Sequence, residues 1–187
     1  MQAFDMCPGG VPMKIGVVSD THRNVKYLSD VVDWLSARHK IAMLYHLGDD
    51  YDDVKCLADK YIDIVQVPGI YDERYTNGSL PKKLTENVLG LRVLLVHSME
   101  KDVTPDDKMM TDIILHAHTH HQSITLEDGL LCLNPGHLKG PKDKNFPPSF
   151  GLLDIQDKNL HAKIFGLDFK PIAAMELFRS ENRLFKG

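Results

Sequence analysis

Histidines are concentrated in one short stretch of the chain. Residues 114–121, ILHAHTHH, hold four of the ten histidines. His116, His118 and His120 alternate along this stretch, so an extended backbone would direct their side chains to the same side. Imidazole nitrogens gathered in this way can bind a transition metal, or they can simply crowd a polar loop. The stretch alone does not distinguish these two interpretations.

Acidic and histidine side chains also follow other apolar, strand-like runs. Four further segments carry such groups directly after the run: Asp20 and His22 in SDTH, Asp49 in LGDD, Asp72 in PGIYDE, and His97 in LLVHS. The carboxyl ends of parallel strands lie at one edge of a sheet, and ligands bind at that edge in open α/β sheets. We therefore expect these residues to meet His118 and His120 at a common edge.

The types of these residues favour a transition metal over a hard, oxygen-bound ion. Carboxylate oxygens mixed with imidazole nitrogens suit Mn²⁺, Fe²⁺, Zn²⁺ or Ni²⁺, whereas a cage of oxygen atoms alone would indicate Mg²⁺ or Ca²⁺. The D-x-H and H-x-H spacings place both side chains of each pair on one side of a short extended stretch. The alternative is that acids and histidines merely crowd a polar edge of the fold.

The first half of the chain has the pattern of alternating strands and helices. Apolar runs at 14–19, 41–47 and 62–67 predict three buried strands. Apolar residues spaced three or four apart predict an amphipathic helix at 24–40, and a shorter helix is predicted at 52–61. This β-α-β-α-β order favours a parallel α/β core with right-handed crossovers.

The second half has a mostly antiparallel pattern. Three hairpins are predicted, with turns at Gly90, at Asp128-Gly129 and at residues 157–159. A short helix is predicted to begin near Thr104-Pro105, and a further strand at 112–118. The tail, residues 173–186, is predicted to form one more helix. The whole pattern predicts one domain with two sheets.

The composition excludes several classes of protein. The chain has 187 residues, 43% hydrophobic and 26% charged, which is enough for one domain with a proper core. Its net charge of −4 argues against sequence-independent nucleic-acid binding. We expect no membrane span, because no apolar run reaches 18 residues. Three cysteines without a CxxC pair fit a reducing, cytoplasmic location. Residues 1–12 are expected to form a flexible lead-in before a single domain at 13–187.

The motifs together resemble one enzyme family. SDTH, LGDD, PGIYDE, LLVHS and AHTH occur in the order and spacing of the calcineurin-like metallophosphoesterases. LNPGH and PSFGLLDI resemble the tail of the small bacterial and archaeal phosphodiesterase branch of that superfamily. The resemblance covers roughly residues 13–167. It implies an α/β fold, a four-layer α-β-β-α sandwich of two mixed sheets, and hydrolysis of phosphodiesters by a metal-activated water.

The resemblance also implies a set of ligands for two divalent ions of Mn, Fe, Zn or Ni. The first ion would be held by Asp20, His22 and His120. Asp49 would bridge to a second ion, which would also take His97 and His118. The implied substrate is a small-molecule phosphoester, and small relatives often form homo-oligomers. Asp72 is a candidate catalytic residue that would orient the site, with the cap of a turn as its alternative role.

One element departs from the family pattern. The family carries a metal-binding asparagine after the glycine of its G-N-x-D or G-N-H-E element, and this chain has Ile70 there. Tyr71 stands where many relatives have a catalytic histidine. The second ion therefore loses one protein ligand. Three functions remain open. The first is an active phosphodiesterase, and the second is a catalytically weakened or silent member that acts as a protein-interaction scaffold. The third is a phosphomonoesterase or cyclic-nucleotide enzyme of the same chemistry.

Overall fold

The first half of the chain folds as alternating strands and helices. The structure is a computed structural model and describes residues 11–180 and 183–186. Its first elements are β1 (Met13–Val18), α1 (Val25–His39), β2 (Met43–His46), a 3₁₀ helix (Tyr51–Leu57), β3 (Asp63–Gln66) and α2 (Glu73–Thr76). Strands β1, β2 and β3 are parallel neighbours, which confirms the predicted parallel core. The shorter helix predicted at 52–61 is a 3₁₀ helix that ends at Leu57. The lead-in expected at 1–12 lies outside the described residues up to position 10.

The second half is built mainly from antiparallel hairpins. Its elements are β4 (Lys83–Val88), β5 (Leu91–Val96), α3 (Met99–Asp102), α4 (Pro105–Met109), β6 (Ile113–Leu115), β7 (Ser123–Glu127), β8 (Leu130–Asn134), β9 (Ser149–Ile155), β10 (Asn159–Gly166), β11 (Pro171–Ser180) and β12 (Arg183–Lys186). The three predicted hairpins are confirmed as the pairs β4–β5, β7–β8 and β9–β10. Helix α4 also begins as predicted, with Thr104 as its cap and Pro105 as its first residue.

The helix predicted for the tail is wrong, because residues 171–180 and 183–186 form strands. Strand β11 pairs with β10 along most of its length, and β12 pairs with β11. Leu177 and Leu184 are buried, and Met175 packs against the same core. The alanine, methionine and glutamate residues of this segment favour a helix by propensity. Pairing with the open edge of β10 and burial of alternate side chains override that preference.

The strands form two mixed sheets that pack face to face. The seven-stranded sheet has the order β12-β11-β10-β9-β1-β2-β3, and the five-stranded sheet has the order β4-β5-β6-β8-β7. Each combines parallel and antiparallel pairs. Their facing surfaces share one core, to which the first sheet contributes Ile15, Val17 and Tyr45 and the second contributes Val93, Leu95 and Leu131.

Helices cover the two outer faces. Helix α1 packs its buried residues Leu28, Val31, Val32 and Leu35 against the seven-stranded sheet. On the five-stranded sheet, Met99 of α3 and the adjoining Val103 pack against Leu94, Val96 and Ile114. The architecture is therefore the α-β-β-α sandwich expected from the sequence. Within the described residues, every helix is too short or too polar to cross a membrane.

An aromatic cluster packs α1 against the seven-stranded sheet. Trp34 contacts Phe150 and Phe165 edge-on, with ring centroids 5.6 and 5.0 Å away, and stacks on Phe169 at 5.0 Å. Phe150 is fully buried at the centre of this cluster. Aromatic pairs in such arrangements add stabilisation beyond the area that they bury.

We expect Phe150→Ala to lower the free energy of unfolding by about 3–5 kcal/mol, because it leaves a cavity under α1. Chemical denaturation followed by the fluorescence of Trp34, the only tryptophan of the chain, measures this change. Phe185→Ala is the matched control, since Phe185 is 45% exposed on edge strand β12, and it should cost less than about 1 kcal/mol. Equal losses in the two variants would contradict the assignment of the core.

Candidate metal centre

Four loops bring their polar side chains to one edge of the sandwich. Asp20 and His22 follow β1, Asp49 follows β2, His97 follows β5, and His118 and His120 follow β6. Among the described residues, possible ligand atoms lie within 4.8 Å of one another in two groups, Asp20–His22–His120 and Asp20–Asp49–His97. The structure thus brings together five of the six residues expected to bind metal, and Asp20 belongs to both groups.

Asp49 belongs to the second group and also faces a histidine of the first. Its Oδ2 is 3.6 Å from His22 Nε2, and its Oδ1 is 3.4 Å from His97 Nε2. The two oxygens of one carboxylate therefore face histidines that belong to different groups. This is the arrangement that a carboxylate bridging two ions requires.

The histidines direct their Nε2 atoms into the centre because their Nδ1 atoms face oxygen acceptors. His97 Nδ1 donates to the Leu47 carbonyl oxygen at 2.7 Å, and His120 Nδ1 donates to the Asp143 carboxylate. His22 Nδ1 lies 3.4 Å from Asp50 Oδ2. Carbonyl and carboxylate oxygens only accept hydrogen bonds, so the proton of each neutral ring is placed on Nδ1. The lone pair on Nε2 is then free for a cation, as in metal-binding histidines generally.

Several buried atoms at the centre have no hydrogen-bond partner in the protein. They are Asp20 Oδ1, His22 Nε2 and His97 Nε2. Asp20 Oδ1 also lies 3.0 Å from His120 Nε2, so two acceptors face each other when that ring is neutral. Leaving such groups buried and unpaired costs several kcal/mol in total, at about 1–3 kcal/mol each. A divalent cation between them would satisfy all of these atoms, so the donor set fits a metal.

The pKa values of the two aspartates are shifted in opposite directions, although burial acts to raise both. Burial acts to raise the pKa of Asp20, but the nearby His120 and His97 outweigh burial, and the pKa ends below its ordinary value. Burial raises the pKa of Asp49, and the neighbouring histidines offset this only in part. A cation beside Asp49 would favour its ionised form.

The backbone at the centre adopts an unusual conformation. Five of the six expected ligands have a positive φ: Asp20 at 50°, His22 at 45°, Asp49 at 54°, His118 at 70° and His120 at 63°. Residues with a Cβ rarely adopt this region, and its cost is accepted mainly at functional sites. The expected extended stretch at the H-x-H pair is therefore wrong. Strand β6 ends at Leu115, and left-handed turns rather than strand alternation aim these side chains.

Gly69 allows the loop after β3 to approach Asp49 closely. A Cβ on Gly69 would lie 1.7 Å from Asp49 Oδ1 and 2.6 Å from Asp49 N. No side chain larger than hydrogen fits there unless Asp49 moves. The glycine of PGIYDE thus leaves the space that the carboxylate of Asp49 occupies.

His118 is the expected ligand that joins neither group. Its backbone N–H donates to Asp20 Oδ2 at 3.3 Å, and its ring centroid lies 5.3 Å from that of His97. Partial burial lowers the pKa of His118, and neighbouring His97 and Lys144 lower it further. The imidazole is therefore neutral at pH 7, the state that a metal ligand needs.

Asp72 lies outside both groups. Its side chain caps α2 by accepting from Arg74 N at 2.8 Å, and Oδ1 lies 3.5 Å from Arg74 Nε. Asp72 and Arg74 line a cleft of about 370 Å³ with Arg23 and Asp50. This placement matches the turn-capping role considered for Asp72, and its catalytic role stays a prediction. Ile70 beside it is buried, and Tyr71 is 81% exposed.

The remaining histidines of the motifs have other partners. His46 is buried and accepts from Gly48 N at 3.3 Å, and burial lowers its pKa to about 4. His137 Nε2 donates to the Phe146 carbonyl oxygen at 3.0 Å. His121 is exposed and stacks on Phe146. His116 lines a separate cavity of about 590 Å³ with Met99 and Cys132. None of these four lies in the two ligand groups of the described residues.

Two acidic residues that were not among the expected ligands contact them. Asp50 directly follows Asp49, so the second aspartate of LGDD was an available signal. Asp143 lies 23 residues after His120 in a loop rich in lysine and proline, and no spacing connects the two. Only the folded chain shows that this carboxylate contacts one of the expected metal ligands.

Three solved structures share the fold, at identities too low to show more than that. Yfce, a phosphoesterase from E. coli, aligns with a TM-score of 0.65 at 22% identity, over 87% of this chain and 98% of its own. Vps29 complexed with Zn²⁺, from Entamoeba histolytica, aligns with a TM-score of 0.66 at 21% identity, over 89% and 99%. A novel archaeal phosphodiesterase aligns with a TM-score of 0.64 at 18% identity, over 89% and 100%. The comparison with curated proteins gave no match.

The match to a family model is decisive because it covers most of the chain. The model describes the calcineurin-like phosphoesterase superfamily domain and matches residues 13–158. These residues include β1 to β9 and all six expected metal ligands. The resemblance first suggested by the motifs is thereby confirmed. The chain belongs to the calcineurin-like phosphoesterase superfamily.

Proposed function

We propose that this protein is a metal-dependent phosphoesterase that hydrolyses phosphodiesters of small molecules. The observation that carries the proposal is the set of buried, unpartnered acceptor atoms on Asp20, His22 and His97. These atoms point into a cluster whose carboxylates and imidazoles suit a transition metal. The phosphoesterase and phosphodiesterase among the proteins of similar fold agree with this activity.

The proposed ligands divide between two ions. Asp20, His22 and His120 would hold the first ion, and Asp49 would bridge to the second. His97 would bind the second ion with His118, whose ring is its neighbour. Ile70 offers no donor where the family has asparagine, so the second ion is the more weakly held. Mn, Fe, Zn and Ni are the candidate metals, and the zinc complex of the similar Vps29 structure supports this class.

The residues of the chain bind and orient, and none needs to attack phosphorus. A bound pair of divalent ions would supply Lewis-acid activation of the ester and a water of lowered pKa as the nucleophile. Asp49 fixes the centre of the site between His22 and His97, and Asp20 fixes the first group. We propose that Asp72 contributes by positioning Arg74 at the 370 Å³ cleft, a volume suited to a small substrate.

A scaffold function is the second candidate, and the buried Ile70 is the observation that favours it. Loss of the asparagine removes a ligand of the second ion. Vps29, named as a vacuolar protein sorting protein, shares the fold. A scaffold could keep one structural ion while lacking hydrolysis.

We also propose a cytoplasmic location. Cys56 and Cys132 are free thiols in the part of the chain that the structure describes. Unpaired cysteines are typical of a reducing compartment.

Asp49→Asn should remove the bridge between the two ions. We expect the native protein to bind two ions per chain and to hydrolyse bis(p-nitrophenyl) phosphate with Mn²⁺. The variant should lose the second ion and at least about 100-fold in kcat/KM, equal to about 3 kcal/mol of transition-state stabilisation. Elemental analysis and a colorimetric assay measure the two effects.

Asp157→Asn is the matched control, because it makes the same change on an exposed turn. Full activity of Asp49→Asn with both ions retained would show that this residue is not the bridge. A native protein that binds metal but hydrolyses no phosphodiester or phosphomonoester with any of Mn²⁺, Fe²⁺, Zn²⁺ or Ni²⁺ would support the scaffold instead.

Gly69→Ala tests the same carboxylate from a neighbouring loop. The added methyl group would occupy the space of Asp49 Oδ1, so the carboxylate must move. We expect weaker binding of the second ion and a loss of at least about tenfold in kcat/KM, because a misplacement of 1 Å can cost about 100-fold. Gly140→Ala is the control, since its Cβ would meet no atom within 4 Å. Equal activities of the two variants would refute the close approach.

A further inference from the structure

A tight turn contacts the histidine-rich segment and meets the Nδ1 side of the His120 ring, whose Nε2 faces Asp20. Asp143 N–H donates to the Phe146 carbonyl oxygen at 3.0 Å, and Phe146 N–H donates to the Asp143 carbonyl oxygen at 2.8 Å. The two central residues, Lys144 and Asn145, have φ of 47° and 72°. Positive φ at both positions is typical of the type I′ turn, the tightest hairpin connection. We name residues 143–146 the docking turn.

The docking turn contacts three successive histidines of the segment through three different groups. Lys144 Nζ donates to the His118 carbonyl oxygen at 2.8 Å. The Asp143 carboxylate accepts from His120 Nδ1. The Phe146 ring stacks on His121, with centroids 4.3 Å apart and planes 16° from parallel. A single short turn therefore holds the backbone of His118 and the rings of the other two.

Asp143 carries a negative charge that is paired with Lys139. Lys139 Nζ lies 2.9 Å from Asp143 Oδ1, while Oδ2 faces His120. The hydrogen bond from Lys139 is the main reason that the pKa of Asp143 lies below its ordinary value, and His120 lowers it further. Asp143 is therefore an ionised acceptor at neutral pH, and one oxygen remains for the imidazole.

The Nδ1 partner of His120 is a side-chain carboxylate at hydrogen-bonding distance, unlike the Nδ1 partners of His97 and His22. His97 is held by the backbone carbonyl of Leu47, which no substitution of a side chain removes. His22 faces Asp50 at the longer distance of 3.4 Å. His120 has a positive backbone φ of 63°, as His22 and His118 also do, and it lies beyond the end of β6, so its ring needs support from other parts of the chain. Asp143 provides that support from a distant part of the chain.

We propose that Asp143 is a positioning residue of the metal centre, which holds His120 with its proton on Nδ1 and its Nε2 directed at Asp20 and the first ion. The inference rests on the proposed metal centre and goes beyond it, because Asp143 belongs to none of the family motifs. A carboxylate on the far nitrogen fixes the tautomer and orientation of a ligating imidazole and raises its basicity. Its effect should therefore be confined to the ion that His120 binds.

Metal affinity tests the inference without relying on catalysis. We expect the native protein to bind two ions, measured by titration with Zn²⁺ or Mn²⁺ against a chromophoric chelator. Asp143→Ala should weaken one of the two sites by about 10- to 100-fold and leave the other unchanged, the range typical when such a partner is removed. Asp143→Asn should recover part of the loss, because its amide oxygen can still accept from Nδ1–H.

Two further measurements separate positioning from a general loss of structure. Asp157→Ala removes the same charge from an exposed turn and should bind metal as the native protein does. The metal-free native and Asp143→Ala proteins should melt within a few degrees of each other, whereas their metal affinities should differ. Visible absorption of the Co²⁺-loaded proteins should report altered coordination in Asp143→Ala and a more native spectrum in Asp143→Asn.

The outcomes distinguish this inference from the proposed function. Two native ions with unchanged affinity in Asp143→Ala would overturn the positioning role and leave the proposed function intact. Equal weakening of both sites, together with a lower metal-free melting temperature, would also overturn it, because the turn would then support only the fold. A native protein that binds no metal would overturn the proposed function and the inference with it.

Discussion

The structure depends on a group of hydrogen-bond acceptors, carboxylate oxygens and imidazole nitrogens, that lie close together in a largely buried site. Asp20 and Asp49 place carboxylates within a few ångström of imidazole nitrogens that have no proton to offer them. The protein supplies many acceptors and few donors at this point, which is unfavourable unless a cation lies among them. The positive backbone φ of five expected ligands adds a further cost. A divalent cation bound among these groups would offset both costs.

The sequence predicted those elements of the fold for which one physical signal outweighs all others. Buried strands appear as apolar runs, and the Asp128-Gly129 turn fixes its hairpin through positive φ at both positions. The tail was different, because its Ala, Met, Glu and Leu residues favour a helix locally. The tail forms a strand because it pairs with the long edge of β10, and that edge exists only after the sheet has assembled. A preference of individual residues could not predict a partner contributed by the rest of the fold.

The candidate site was predictable to the extent that its residues follow strands. Asp20, His22, Asp49, His97 and His120 converge because the carboxyl ends of β1, β2, β5 and β6 reach a common edge. The reason first considered for the H-x-H pair, alternation along an extended strand, was not the one that the structure shows. Asp143 could not be predicted, because its contact with His120 arises from the path of an irregular loop.

The six proposed ligands come from both halves of the sandwich. Those after β1 and β2 belong to the seven-stranded sheet, and those after β5 and β6 belong to the five-stranded sheet. Any sliding of one sheet over the other would separate the ligands that follow β1 and β2 from those that follow β5 and β6. An ion bound here would contact residues of both sheets. It would therefore stabilise the native chain, in which the sheets are packed together, and not the unfolded chain. At a free ion concentration 100 times its Kd, such an ion would add about 2.7 kcal/mol to the free energy of unfolding.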